Sequence, residues 1–213
     1  MEDQLPSGGA ELSPDEIEAL HARWSSCWTP WEVARRLAGI GTPWCVAAGW
    51  ALDLFRGERT RAHGDIEIAI PAAGFPEVRR RFPGHVFDAV GGGRVWEGAP
   101  PEALAAVHQT WLREPATGDY LLDVFREPHD GDTWIYRRDE RIRLPYADVV
   151  RRTPDGIPYL APELVLLFKA GHTRPKDQAD FEATVPHLTA TGRAHLAALL
   201  ARAHPEHPWI TAL

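Results

Sequence analysis

Between Gly64 and Pro71 the chain reads Asp65-Ile66-Glu67-Ile68-Ala69-Ile70. Alternation this strict predicts a strand with Ile66, Ile68 and Ile70 on one face. Asp65 and Glu67 then share the other face, about 6.6 Å apart along the strand. Two carboxylates side by side repel each other, and a purely structural strand gains nothing from that. Either the acidic face is solvated at a sheet edge, or it holds a hard divalent cation such as Mg²⁺.

The residues upstream narrow the choice. Trp44-Cys45-Val46-Ala47 is a short apolar run that reads as a buried strand, and Ala48-Gly49 turns the chain. Ala51, Leu52, Leu54 and Phe55 support a short helix from Trp50 to Arg56, with Gly57 suited to its end. A basic loop with Arg56, Arg59, Arg61 and His63 leads into the acidic strand.

With 213 residues, 44% of them hydrophobic, the chain can bury one core or two small ones. A net charge of -7 leaves no basic excess for phosphate backbones, so nucleic acid is an unfavourable partner and a small polycation a mildly favourable one. Cys27 and Cys45 have no metal-binding or redox spacing and read as thiols in a reducing compartment. No apolar run is long enough for a membrane span, and the acidic, polar start is no signal peptide. A cytoplasmic location follows as the expectation.

Along the chain, residues 1–12 read as a disordered tail. Ser13-Pro14-Asp15-Glu16 and Thr29-Pro30-Trp31-Glu32 are capping boxes that open helices. Phe75, Val78 and Phe82 have helical spacing; Gly91-Gly92-Gly93 reads as a hairpin turn, lacking the Lys-Ser/Thr of a phosphate loop. Pro101 to Leu112 is ambiguous, its Ala-rich start favouring helix. Tyr120 to Phe125 is a strand with one acid, Asp123, among apolar residues. Such an acid is costly unless paired, bound to a cation or facing water at a strand end. Asp119, after Gly118, reads more as a turn residue. Thr153-Pro154-Asp155-Gly156 is a turn and a natural boundary, beyond which helical segments follow. His204 and His207 have metal-like spacing, but Pro205 and Pro208 favour a terminal turn.

The segment AGWALDLFRGERTRAHGDIEI resembles the aminoglycoside 2''-adenylyltransferase-like family of the nucleotidyltransferase superfamily, whose pattern is close to GGWALDLxxGxxTRxHxDxDI. The likeness continues in YLAPELVLLFKAGHTRPKDQADFEA through HPEHPW. Ala48 stands where the family has its first Gly, and Glu67 where it usually has Asp. The resemblance implies an α+β fold: a nucleotidyltransferase-like mixed β-sheet with flanking helices over residues 13–156, followed by a small C-terminal helical subdomain over 157–213. It implies Mg²⁺-dependent transfer of a nucleoside monophosphate, AMP from ATP, to a hydroxyl of a small polar acceptor such as an aminoglycoside. A protein or tRNA acceptor, or a catalytically weak nucleotide- or drug-binding homologue, are the alternatives. Asp65, Glu67 and Asp123 are then the metal-binding and catalytic acids, for two ions, with Asp123 also a possible base. Ala48, Gly49, Arg61, Lys169 and Lys176 are the implied nucleotide-binding positions, and His63 a supporting hydrogen-bond partner. Without the resemblance Arg61 is equally a surface charge, and Lys169 and Lys176 are solvated helix-end residues.

Overall fold

A computed structural model describes residues 5–213. In chain order the elements are β1 (Ala10–Glu11), α1 (Pro14–Arg23), α2 (Pro30–Arg36), β2 (Cys45–Val46), α3 (Ala48–Arg56), β3 (Glu67–Pro71), α4 (Phe75–Arg81), β4 (Val86–Gly91), β5 (Arg94–Trp96), α5 (Pro101–Ala106), β6 (Gln109–Arg113), β7 (Tyr120–Glu127), β8 (His129–Asp130), β9 (Thr133–Ile135), β10 (Arg143–Pro145), α6 (Tyr146–Val149), β11 (Val150–Arg152), β12 (Pro158–Leu160), α7 (Pro162–Ala170), α8 (Pro175–Thr184) and α9 (Ala190–Ala203). The α+β class expected from the sequence is the one observed. Among the described residues, no helix is long and apolar enough to cross a membrane.

The chain divides into two compact units, each discontinuous in sequence. One comprises Met1–Trp44 with His63–Glu127; the other comprises Cys45–Ala62 with Pro128–Leu213. The division therefore does not fall at the Gly156 turn. The segment from β2 through α3 belongs with the C-terminal helices, because α3 packs on α7 and β2 pairs with β12.

The first unit is a mixed sheet in the order β1-β5-β4-β6-β7-β3. Strands β3 and β7 run parallel; β1 with β5, β5 with β4, β4 with β6 and β6 with β7 are antiparallel. Ile66, Ile68 and Ile70 are fully buried on one face of β3, as the alternation predicts. They join Val33, Leu37, Phe87, Leu112, Leu122 and Val124 in the core. Both predicted capping boxes form: Ser13 accepts from the Glu16 N–H and Thr29 from that of Glu32, with each glutamate returning to its cap. The hairpin between β4 and β5 turns on Gly92 and Gly93, both at positive φ, which confirms the glycine run as a turn.

Two expectations for this unit change. The tail reading does not hold at Ala10 and Glu11, which pair with Val95 and Arg94, and Arg94 also donates to the Gly9 carbonyl and the Glu11 carboxylate. Residues 1–4 of that predicted tail lie outside the described residues. The ambiguous segment after Pro101 is a short helix followed by β6, whose Gln-Thr-Trp-Leu-Arg alternation is that of a strand between β4 and β7.

The second unit holds the strands β2-β12-β11 and a small antiparallel sheet β10-β9-β8. Its core is built from Val46, Ala51, Leu164 to Leu167, Leu196 and Leu200. Phe181 stacks on Trp209 with centroids 4.2 Å apart, pinning the C-terminal turn to α8. Helix α8 starts at Pro175, where the Arg174 N–H donates to the Asp177 carboxylate and Pro175 takes the first position.

Candidate active site

The carboxylates come together through strand register. Parallel pairing of β3 with β7 sets Glu67 opposite Asp123. Residues paired in this way project to the same face of a sheet, so Glu67 and Asp123 share one face. Asp65 lies two residues before Glu67, just ahead of the assigned strand, and the ladder reaches back toward it through the Asp123 N–H, which donates to the Ile66 carbonyl at 2.9 Å. Asp65 and Glu67 are half-buried, whereas Asp123 is 3% exposed. Asp119 is outside the strand: it closes a turn, its N–H donating to Thr117 Oγ1 and its carbonyl accepting from Glu114.

Asp123 is held from the neighbouring strand. Gln109 Nε2 on β6 donates to Asp123 Oδ2 at 2.5 Å. An amide N–H so placed fixes the carboxylate rotamer. Sequence reading did not single out Gln109, because the pairing of β6 with β7 was itself not legible. Cys27 reports on the same corner of the unit. Burial raises its thiol pKa, and Asp65 and Glu67 raise it further, while its Sγ lies 3.9 Å from the Gly64 carbonyl. Two acidic side chains thus make this region locally electronegative. Among the described residues, no three His, Cys, Asp or Glu side chains are already gathered around one ion position. His63 is half-buried two residues ahead of Asp65.

The implied nucleotide-binding residues belong to the other unit. Ala48 opens α3 at φ 48, in the left-handed region that the family fills with Gly. The turn therefore forms with Ala, at a conformational cost of about 1–2 kcal/mol. Ala47 provides no side-chain cap, and Gly49 is buried in the first turn. Helix α3 ends as predicted at Gly57, φ 76. The buried Asp53 then orders the following loop by accepting from the N–H and Oγ1 of Thr60.

Arg61 and Lys169 have carboxylate partners. Arg61 makes a two-pronged pair with Asp180, Nε to Oδ1 at 3.1 Å and a terminal nitrogen to Oδ2 at 3.3 Å. Lys169 Nζ, its side chain 9% exposed, lies 2.7 Å from Asp177 and 2.9 Å from Asp180. Arg174 completes the group by donating from Nε to Asp177 at 2.7 Å. Burial alone would raise the carboxyls of Asp177 and Asp180. Hydrogen bonds from Arg174 and Lys169, and from Arg61 and Lys169, outweigh that and hold both below the ordinary range. The network ties the loop after α3 to α7 and α8. It makes Arg61 and Lys169 internal struts, neither surface charges nor solvated helix-end residues. Lys176 is exposed on α8. His207 accepts from the Trp209 N–H through Nδ1 and meets Thr173 through Nε2, so the pair with His204 is a terminal turn.

Residues 31–95 match the family model described as aminoglycoside-2''-adenylyltransferase. That span includes Ala48, Gly49, Arg61, His63, Asp65 and Glu67, but not Asp123, Lys169 or Lys176. Comparison with curated proteins gives no match. Among solved structures, the chain is similar to the lincosamide antibiotic adenylyltransferase LnuA in its lincomycin-bound form, with 17% identity, coverage of 81% of this chain and 96% of that one, and a TM-score of 0.50. It is similar to the antibiotic-resistance factor ANT(2'')-Ia in solution, with 13% identity, 94% and 97% coverage and a TM-score of 0.55. The crystal structure of ANT(2'')-Ia in complex with adenylyl-2''-tobramycin gives 13% identity, 80% and 94% coverage and a TM-score of 0.55. The chain therefore has a nucleotidyltransferase fold, and the resemblance to the aminoglycoside 2''-adenylyltransferase-like family stands on the match across residues 31–95.

Proposed function

We propose that this chain transfers a nucleoside monophosphate, AMP from ATP, to a hydroxyl of a small polar acceptor of the aminoglycoside or lincosamide kind. The observation that carries the reading is the register that sets Glu67 against Asp123, with Asp65 two residues away on the same chain segment. The family match and the structural likenesses supply the reaction class.

The donor set suits Mg²⁺. Asp65, Glu67 and Asp123 offer hard carboxylate oxygens with no thiolate or imidazole among them, and register brings two of the three to adjacent strands. These three would hold the ion or ions. Bound there, Mg²⁺ supplies neutralisation of the charge that accumulates on the triphosphate during transfer. The Asp123 carboxylate takes the proton of the attacking hydroxyl. Gln109, holding its Oδ2, keeps that group in one orientation. Gly49 allows close approach of a phosphate to the backbone at the start of α3, where a Cβ would intrude. Arg61 and Lys169 act indirectly, fixing the loop after α3. Glu67 keeps the charge of the family's Asp at one methylene greater reach.

The test is incubation of the purified protein with ATP, Mg²⁺ and a panel of aminoglycosides and lincosamides, followed by mass spectrometry. A product heavier by one adenylyl group, formed with release of pyrophosphate, is the expected result. ATP binding without product on any acceptor would favour a nucleotide-binding homologue instead.

A further inference from the structure

The second unit contains a cavity of about 320 Å³ among α3, β12, α7 and the start of α9. Phe55, Tyr159, Glu163, Leu188, Thr191 and His195 line it. Phe55 is seven residues beyond Ala48, about 10 Å along α3, so the cavity lies at the opposite end of that helix from the Ala48-Gly49 turn. Nothing in the transfer reaction proposed above uses it.

Its floor holds an underserved charge. The Glu163 side chain is 93% buried by its 7% exposure, yet its contacts are long and confined to one oxygen. Arg151 reaches Oε1 at 3.5 Å and His195 Nδ1 reaches it at 3.7 Å, while Oε2 accepts no hydrogen bond among the described residues. A buried carboxylate is costly unless its lone pairs are met. Tyr159 and Thr191 also line this space, and their hydroxyl oxygens make no hydrogen bond among the described residues. Burial raises the Tyr159 pKa, so the phenol keeps its proton and can present a lone pair. Phe55 and Leu188 supply apolar walls.

We infer that this cavity binds a small organic ammonium, a primary amine carried on a compact apolar or ring body. The ammonium has three N–H donors, matching Glu163 Oε2 and the two hydroxyl oxygens, and its body would cover the apolar walls. A metal cation fits poorly, because one carboxylate and two hydroxyls leave a hard ion short of oxygen ligands. An anion would face Glu163 directly.

The inference rests on Glu163 and is independent of transfer activity, so it is tested by binding alone. Titration calorimetry and thermal shift would compare benzylamine with benzyl alcohol, its uncharged counterpart, on the full chain. Benzylamine should bind saturably and about tenfold or more tighter than the alcohol. Glu163→Gln should remove that difference, and Thr191→Val, at an exposed position that tolerates change, should reduce it. Equal binding of amine and alcohol to the unaltered protein would overturn the assignment even if Glu163→Gln failed to fold. So would absence of saturable amine binding, or a folded Glu163→Gln protein that still prefers the amine.

Discussion

Glu67 and Asp123 are register partners across the parallel pair β3–β7. One slip of that register would send Asp123 to the opposite face, among Leu122 and Val124, both fully buried. The pairing therefore fixes which face is acidic. It predicts that Asp123→Asn, which keeps shape and an oxygen ligand but cannot accept a proton, lowers turnover by about 10² or more while ATP affinity stays within about tenfold. Steady-state kinetics with a separate nucleotide-binding measurement distinguish the outcomes. Loss of ATP binding as well would make Asp123 chiefly a metal ligand.

Gln109 should matter through Asp123 alone. Replacing it with Met keeps the volume and removes the N–H that Asp123 Oδ2 accepts. The expected result is a fall in kcat of about tenfold with KM for ATP unchanged, as for a reacting group left loosely oriented. Equal losses in kcat and thermal stability would instead mark Gln109 as part of the packing.

Ala48 carries a conformation that glycine adopts without penalty. Ala48→Gly relieves left-handed strain of about 1–2 kcal/mol and adds back chain entropy of about 0.5–1 kcal/mol, for a net gain of about 0.5–1 kcal/mol. Denaturant unfolding should show the midpoint rising with an unchanged slope. A lower midpoint would mean that the Ala48 methyl makes contacts worth more than the strain.

The acidic strand, the two capping boxes, the glycine hairpin and the stop of α3 at Gly57 were legible because each is set by residues within a few positions of one another. Strand β6 was less so. Five residues of alternation directly after an Ala-rich helix carry little signal of their own, and only the ladder with β4 and β7 selects them as a strand. Gln109 could not be found for the same reason. The partners of Lys169 were hidden differently. Asp177 and Asp180 stand on a separate helix, and which side chains meet depends on how α8 packs against α7. The cap at Arg174, Pro175 and Asp177 was a local signal that a helix starts there, and it accounts for α8 beginning earlier than its apolar residues suggest.

That network also sets how the protein should respond to acid. Asp177 and Asp180 both have pKa values lowered by folding, against a burial effect that alone would raise them. Folding therefore favours their charged forms. Their contribution is fully present above the unfolded carboxylate pKa of about 3.9 and is lost as pH falls below it, toward the folded values. Lys169 is the cation shared by both acids, so Lys169→Met leaves two buried carboxylates short of a partner. At neutral pH this should cost about 3–5 kcal/mol, the scale for breaking a buried pair by removing one member. At pH 3 the unfolded acids are largely protonated, and folded acids deprived of Lys169 take up protons more readily, so the same substitution should cost less. Adding Asp177→Asn to Lys169→Met should recover part of the neutral-pH loss, since one unpaired charge is removed while Arg61 still holds Asp180. Urea unfolding of the three proteins at pH 7 and at pH 3 measures all of these differences. A Lys169→Met penalty independent of pH would show that the lysine acts through its hydrocarbon packing and not through its charge.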